Sequence, residues 1–400
     1  VLKRLREMKD ETAQRAGEVR AQAGRMQSYM LRATAGDYVT AFLLNITKLI
    51  NGTLEGNPAQ NGQTMQEEHE HEEAGMWVNA NFEPIRPRVK KWGIQYHKSK
   101  LYGGQQFERL LSEFQAVMEH TEFAEASMDD VATAAGSQNL ANYSNVAWAA
   151  SDIAQKTAQK AFLPLIEQLY RRSVYIMKRL ANIVDQMMES QRKEASKGRR
   201  GGASSASSAS VSSASVVGAS PGGAGVSVGG ASAGGVVSTT DYPFFTNSVK
   251  ELYYDFIDKT AAVCKAKSMD EFYSTRIIYW DQVEQSAGGS AAAAAAAAAE
   301  HSEELSAAAV RELASSIFDS IKKRVTRNVL LKCYNYFLLP LQNDLLGEIQ
   351  GQINVLTDDS IEELFEVAVN KRKLEQESAH LVQLQQELQE KEAAFLAKLG

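Results

Sequence analysis

The residues that could do chemistry are few and scattered. His69-Glu70-His71 lies in an acidic run from Glu67 to Glu73, and imidazole beside carboxylate is a donor set that a divalent metal accepts. No cysteine or distant partner stands at ligand spacing, so a solvated loop is the favoured reading and no metal is expected. Cys264 and Cys333 are the two cysteines of the chain. They are too few for a disulfide framework, and each has the apolar helical surroundings of a small, inert hydrophobe. No Gly-x-x-x-x-Gly-Lys-Ser/Thr occurs, no Gly-x-Gly-x-x-Gly opens a helix after a strand, and the glycine-rich stretch 218–235 has no lysine to reach a phosphate. Asn45, Asn51 and Asn142 match the glycosylation pattern, but no secretory context accompanies them. The basic cluster Arg192, Lys193, Lys197, Arg199 and Arg200 could meet anionic headgroups. A solvated helix end, where the dipole favours Lys and Arg, is the favoured alternative. No catalytic or cofactor-binding residue follows from these patterns.

Lys and Arg number 43 against 49 Asp and Glu, a net charge of -6. No positive excess exists to drive nucleic-acid binding, and no nucleic-acid partner is expected. No apolar run reaches the roughly 20 residues of a membrane span; Val39 to Ile50 is interrupted by Asn45, Thr47 and Lys48. Sparse cysteine fits a reducing compartment, so a cytoplasmic location is expected. The chain opens at Val1 and is expected to be a piece of something longer. Alanine inflates the 44% hydrophobic share: Ala291 to Ala299 is an unbroken run. Elsewhere, with only 7 prolines, the makeup is that of long helices.

Those helices can be placed from their apolar spacing. Leu2, Leu5, Met8, Val19, Met26, Leu31, Tyr38, Phe42, Ile46 and Leu49 make residues 1–50 helical. Asn51-Gly52 and Glu55-Gly56-Asn57-Pro58 stop that helix, and residues 51–100 read as a polar, irregular insertion at a bundle edge. Phe107, Leu110, Leu111, Phe114, Val117 and Met118 mark the next helix, followed by a loop with Ala135-Gly136-Ser137. A long helix over 146–192 carries Phe162, Leu165, Leu169, Ile176 and Leu180, and Pro164 inside it predicts a kink near Lys160. Residues 198–241, rich in Ser, Ala and Gly, cannot bury enough surface to offset their ordering entropy and read as a disordered linker. A helix at 242–286, a Gly/poly-Ala linker at 287–305 and a helical block at 306–365 follow. Thr357-Asp358-Asp359-Ser360 breaks that block with N-cap chemistry.

Leu381, Leu384, Leu388 and Phe395 give residues 366–400 a near-heptad stripe. It either docks on residues 1–20 or forms a coiled-coil partner surface, docking being favoured. No window alternates apolar and polar in the strand manner, so the fold is expected to be all-α. Four helices of about 40 residues would be roughly 60 Å long and must pair antiparallel. The expectation is an elongated antiparallel four-helix bundle, with little concave surface for catalysis.

Several of these residues resemble one family. Tyr102-Gly103-Gly104-Gln105-Gln106-Phe107 resembles the Gly-Gly segment that opens the second part of the first stalk helix in dynamins. Ala134-Ala135-Gly136-Ser137-Gln138 is similar to the loop at the foot of the stalk, and Phe162-Leu163-Pro164-Leu165 to the turn within the next helix. Tyr242-Pro243-Phe244 through Ile277-Ile278-Tyr279-Trp280 resembles the third stalk helix. Ile361-Glu362-Glu363-Leu364-Phe365 and Asn370-Lys371-Arg372-Lys373 resemble the close of the GTPase effector domain. The loop residues Asn51-Gly52-Thr53 and Asn61-Gly62-Gln63-Thr64 are most similar to plant and algal plastid-division dynamins.

The resemblance implies a division of labour along the chain. Residues 1–30 would be partly a hinge (bundle signalling) element, 31–197 stalk helices 1 and 2 of the middle domain, and 242–286 helix 3. Residues 306–365 would be helix 4 of the effector domain and 366–400 a C-terminal hinge helix. Gly103, Gly104, Gln106, Gly136 and Gln138 would mark assembly loops, although many dynamins carry arginine near the places of Gln106 and Gln138. Leu2, Leu5, Leu381, Leu384 and Leu388 would pack the hinge helices. The implied function is self-assembly through the stalk into rings or helices that drive membrane fission in organelle division, of the chloroplast first, or of the peroxisome or mitochondrion. GTP and magnesium would belong to a missing GTPase head, so this chain would be no enzyme while its parent would be a GTPase. The segment between helices 3 and 4 has no basic or aromatic anchor, so an adaptor protein would recruit the chain to the outer surface of the organelle, the chloroplast outer envelope in the plastid case. The alternative is a non-enzymatic helical scaffold or coiled-coil trafficking protein with residues 198–240 as a flexible tether.

Overall fold

The computed structural model describes residues 2–24, 26–53, 57–94, 98–136, 143–201, 242–286 and 303–397. The linkers expected at 198–241 and 287–305 fall mostly outside these residues. In chain order the helices are α1 (Leu2–Gly24), α2 (Ser28–Ile50), the short α3 (Pro58–Asn61), α4 (Met65–Glu70) and α5 (Val89–Trp92), then α6 (Gly103–Glu119), α7 (Met128–Ala135), α8 (Tyr143–Gly201) and α9 (Pro243–Ser286). After them come α10 (Glu303–Lys332), a π-helical turn at Cys333–Leu338, α11 (Leu339–Asn343), α12 (Leu345–Val355), α13 (Asp358–Leu364) and α14 (Val367–Ala397). The fold is an all-α helical bundle.

Local chemistry explains where several helices start. The Thr64 hydroxyl accepts from Glu67 N at 3.2 Å while the Glu67 carboxylate accepts from Thr64 N at 2.7 Å, a reciprocal box that opens α4. Ser127 and Asp130 do the same for α7. Thr357 caps α13, as its side-chain chemistry predicts.

Three expectations need correction. Residues 1–50 are two helices rather than one, since α1 closes at Gly24 before α2 opens at Ser28. Residues 51–100 are not merely an irregular edge insertion. They hold α3, α4, α5 and a hairpin of β1 (Trp77–Val78) with β2 (Pro84–Ile85), antiparallel with Trp77 opposite Ile85. Strands of two residues are too short to leave an alternating pattern, which is why no window betrays them. Finally, the long helix predicted over 146–192 is wider: α8 spans 59 residues, Tyr143–Gly201, with Pro164 inside it.

The helices divide between two compact units, each with its own core. One comprises Val1–Phe42, Val184–Lys250 and Ile349–Gly400. Its centre is aromatic: Tyr38 lies 5.5 Å from Phe245 in an edge-on contact, and Phe245 stacks on Phe365 at 4.5 Å. Such pairs add about 0.5–1.5 kcal/mol beyond the area they bury. Arg32 fastens α2 to the start of α13 through Leu356 O at 2.8 Å and Asp358 Oδ1 at 2.7 Å.

The other unit comprises Leu43–Ile183 and Glu251–Glu348. Here α8 and α9 run antiparallel: Lys178 pairs with Asp258 and Glu167 with Lys265, and the Tyr253 hydroxyl donates to Met177 O at 2.7 Å. Phe162 meets Phe318 of α10 at 5.1 Å, and Phe107 of α6 meets Phe337 of the π-helical turn at 5.7 Å.

Candidate functional site

Of the residues expected to form assembly loops, three are interior. Gly103 and Gly104 open α6 against the end of α2, where a side chain would find no room. A Cβ on Gly104 would fall 1.9 Å from Ile50 O, and one on Gly103, whose φ is +61°, 2.3 Å from Leu49 O. The pair is therefore a backbone-to-backbone contact that only glycine permits. Gln106 is fully buried and donates to Glu68 Oε2 at 2.8 Å. All three lie at the start of α6 and are buried. Gly136 does end a helix on the surface, closing α7 with φ +60°. Gln138 lies outside the described residues.

Around Gln106 the structure gathers a group of charges whose burial was not foreseen. Helix α6 is buried on nearly every side, and along one stripe it carries Gln106, Arg109 and Glu113, three and four residues apart. Charges inside such a helix must be paired. Their partners come from α4 and α8. Arg172 Nη2 donates to Glu68 Oε1 at 2.6 Å and to Glu113 Oε2 at 2.9 Å, while Arg109 Nη2 donates to Glu68 Oε2 at 3.0 Å. Arg109 Nη1 also reaches the carbonyls of Gln63 and Ser99, both at 3.2 Å. All four charged side chains are fully buried.

The hairpin is seated on the same group. Trp77, fully buried, donates from Nε1 to Glu113 Oε2 at 3.2 Å, and the Arg172 guanidinium lies 4.8 Å from its ring centre. Gln168 Oε1 accepts from Val78 N at 3.0 Å. Burial opposes ionisation of Glu113, but Arg172, the His69 hydrogen bond and Arg109 outweigh it and hold the carboxyl at about 2. The same carboxylates raise the pKa of Arg172 against its own burial.

This arrangement also corrects the reading of the acidic run as a solvated loop. Glu68 is buried, and His69 Nε2 lies 3.0 Å from Glu113 Oε2. His71 turns away to lie against Tyr175, ring centres 4.5 Å apart. The two histidines thus serve different partners, and among the described residues no three His, Cys, Asp or Glu side chains could hold a metal ion. The closed cluster holds no nucleophile and reaches no solvent. Its chemistry is that of a lock, fixing residues 61–113 on α8. The sequence signal was Arg109 and Glu113 at i, i+4 on a helix whose other residues are mostly apolar.

The two cysteines form a second buried polar knot. The Tyr170 hydroxyl lies 2.7 Å from Ser268 Oγ, 3.3 Å from Cys264 Sγ and 3.7 Å from Cys333 Sγ. Cys264 Sγ donates to Lys332 O at 3.1 Å, beside the π-helical turn that begins at Cys333. The hydrogen bond with Cys264, then burial, pushes the Cys333 thiol well up, while that bond draws Cys264 down. An open pocket of about 560 Å³ is lined by Glu122, Phe123, Arg311, Ser315 and Lys322 among others.

At the chain ends, α14 packs antiparallel along α1. Val367, Leu374, Leu381 and Leu388 are its buried positions, a strict step of seven. Leu384 and Leu5 are half-buried at the same seam, and the side chain of Leu2 lies outside the described residues. Glu377 pairs with Arg15 at 2.8 Å, and Glu392 with Lys9 at 3.1 Å.

Among the described residues, helices pack around sealed polar cores, and neither core holds a nucleophile open to solvent. Nor do those residues fit a nucleotide and its magnesium: the sequence has no P-loop, and no metal-binding trio is present among them. The chain is 41% identical over 397 residues to "Dynamin-like protein A" of Dictyostelium discoideum, covering 99% of the chain and 44% of that protein. It is 38% identical over 441 residues to "Dynamin-like protein B" of the same organism, covering 96% of the chain and 54% of that protein. To "Dynamin-like protein ARC5" of Arabidopsis thaliana it is 28% identical over 149 residues, 36% of the chain and 18% of that protein. Its homologues over nearly its whole length are thus dynamin-like proteins, of whose first two it spans about half the length. No family model matches the chain, and no solved structure does.

Proposed function

We propose that the chain is the stalk and effector portion of a dynamin-like GTPase, and that copies of it self-assemble into rings or helices that remodel and divide an organelle membrane. The observation that carries this reading is the match to Dynamin-like protein A along 99% of the chain. The helical architecture supports it, because long packed helices suit force transmission and assembly. GTP and magnesium would be bound by a head that this chain does not contain. A plastid as the organelle divided rests on the resemblance of Asn51-Gly52-Thr53 and Asn61-Gly62-Gln63-Thr64 to plastid-division dynamins. In this reading the chain works on the cytoplasmic face of the organelle, and an adaptor protein attaches it.

Identical subunits joined by heterologous contacts grow into rings or open helices. The test is sedimentation velocity of the purified chain over a range of concentration and salt. The proposal expects species larger than a monomer that grow as concentration rises. A strict monomer at tens of micromolar, unchanged when the salt is lowered, would refute it.

A further inference from the structure

The reading above leaves membrane attachment to an adaptor. We propose that the chain carries a lipid-binding element of its own, the β1–β2 hairpin with the basic segment that follows it, and that its partner is an anionic bilayer surface. The proposal stands on residues that the stalk reading does not use.

The first observation is Phe82. It sits at the tip of the hairpin with 80% of its surface exposed and with a φ of +62°. A bulky side chain is a poor occupant of that backbone region, where Asn or Gly is at ease. It is also a poor side chain to leave in water. The tip is nevertheless firmly built: Asn79 N donates to Glu83 O at 2.9 Å, and Asn79 Oδ1 accepts from the backbone N–H of both Asn81 and Glu83 at 2.9 Å. The base of the hairpin is fixed by Trp77 and Val78 in the buried charge cluster. A rigid stem thus presents an apolar ring outward.

The second observation is charge. From Pro84 to Phe107 there are six Lys and Arg and no Asp or Glu, within a chain of net charge -6. Arg86, Arg88, Lys90, Lys91 and Lys98 are exposed, and none forms an ion pair among the described residues. Arg86 follows β2 directly, and α5, which bears Lys90 and Lys91, is held by Trp92 stacking on His120 at 4.5 Å. Short chain reach keeps Arg86, Arg88, Lys90 and Lys91 beside the hairpin. A soluble polyanion would satisfy the cations and leave Phe82 in water. A bilayer with anionic headgroups satisfies both, the cations at the phosphates and the ring at the acyl boundary.

The experiment is flotation of the full chain with vesicles of phosphatidylcholine containing phosphatidylserine, against vesicles of phosphatidylcholine alone. The parent should float with the first and not with the second, and less as salt rises. Phe82→Asn suits the local backbone and should keep the helical signal and thermal midpoint, yet weaken binding by about tenfold or more. Reversal of Arg88, Lys90 and Lys91 to Glu should weaken it at least as much. Because both native cysteines are buried, Phe82→Cys can be labelled selectively with an environment-sensitive dye. The dye should brighten and shift to the blue on phosphatidylserine vesicles and stay unchanged with a short RNA duplex.

Flotation of Phe82→Asn equal to the parent, or a dye that stays in water on bound vesicles, would overturn the proposal. So would RNA binding as tight as vesicle binding and indifferent to Phe82, which would make the surface a general polyanion site. A chain that proves strictly monomeric yet floats through Phe82 would refute the stalk reading and leave this one standing.

Discussion

At Glu113 two opposing effects meet, and their balance makes the buried cluster measurable. Burial favours the protonated acid; Arg172, the His69 hydrogen bond and Arg109 favour the carboxylate and prevail, holding it at about 2. The unfolded chain therefore takes up this proton first as the pH falls. The stability that the carboxylate supplies is complete above about 4.5 and is lost between there and about 2. Glu113→Gln should remove that part of the acid limb in thermal midpoints measured against pH. It should also cost about 3–5 kcal/mol at neutral pH, because Arg172 and Arg109 are left short of a buried partner. A variant with the parent's acid limb would show that Glu113 is not what the acid attacks. Gly104 gives an independent check. Placing a methyl group 1.9 Å from Ile50 O forces the ends of α2 and α6 apart, so Gly104→Ala should cost about 2–3 kcal/mol. Gly136→Ala meets no neighbour, and its cost should be confined to backbone strain of about 1–2 kcal/mol. Equal losses at the two glycines would contradict the packing described.

Among the elements, the α1–α14 pair is the one whose energetics rest most plainly on a repeat. Leu381 and Leu388 are buried at successive turns of the heptad, and truncating either to Ala should cost about 2–3 kcal/mol. The ion pairs that flank them, Arg15 with Glu377 and Lys9 with Glu392, are partly or largely exposed, and Glu377→Ala should cost no more than about 0.5 kcal/mol. Hydrogen exchange would locate the effect: Leu381→Ala should speed exchange in α1 and α14 and leave α6 unchanged. This seam was legible in part, because Leu381, Leu384 and Leu388 recur at three and four residues, whereas the buried Val367 and Leu374 were not read as belonging to it. The stripe from Met26 to Leu49 was legible for the same reason, and its predicted residues are buried. Residues 51–100 were opaque because each of their elements is short. Their position is decided by Glu68, Trp77 and Val78 finding partners on α6 and α8, more than 30 residues away in sequence. The glycine pair at 103–104 was conspicuous in sequence, but whether it faces solvent or the backbone of α2 depends on contacts that no local pattern encodes.

For the whole molecule, the open issue is whether the terminal helices join two chains or close one. A coiled-coil scaffold needs the α14 seam free for a second copy, whereas a stalk needs it taken up within the chain. In the structure Leu381 and Leu388 are already covered, with α1 alongside, so a second copy would have to displace α1 before it could pair. Cross-linking separates the two arrangements. Arg15 and Glu377 lie opposite each other across the seam, and the native cysteines are buried, so an Arg15→Cys, Glu377→Cys double variant presents two accessible thiols. A short bis-maleimide should join them within one chain, giving a monomer on a denaturing gel whatever the protein concentration. The thiols of Cys264 and Cys333 should remain unmodified until the chain is unfolded, which the same gel can follow by later labelling in denaturant. A cross-linked dimer that strengthens with concentration would mean that α14 pairs between copies. Assembly would then run through the hinge helices, and the stalk reading would lose its distinction from a simple coiled-coil scaffold.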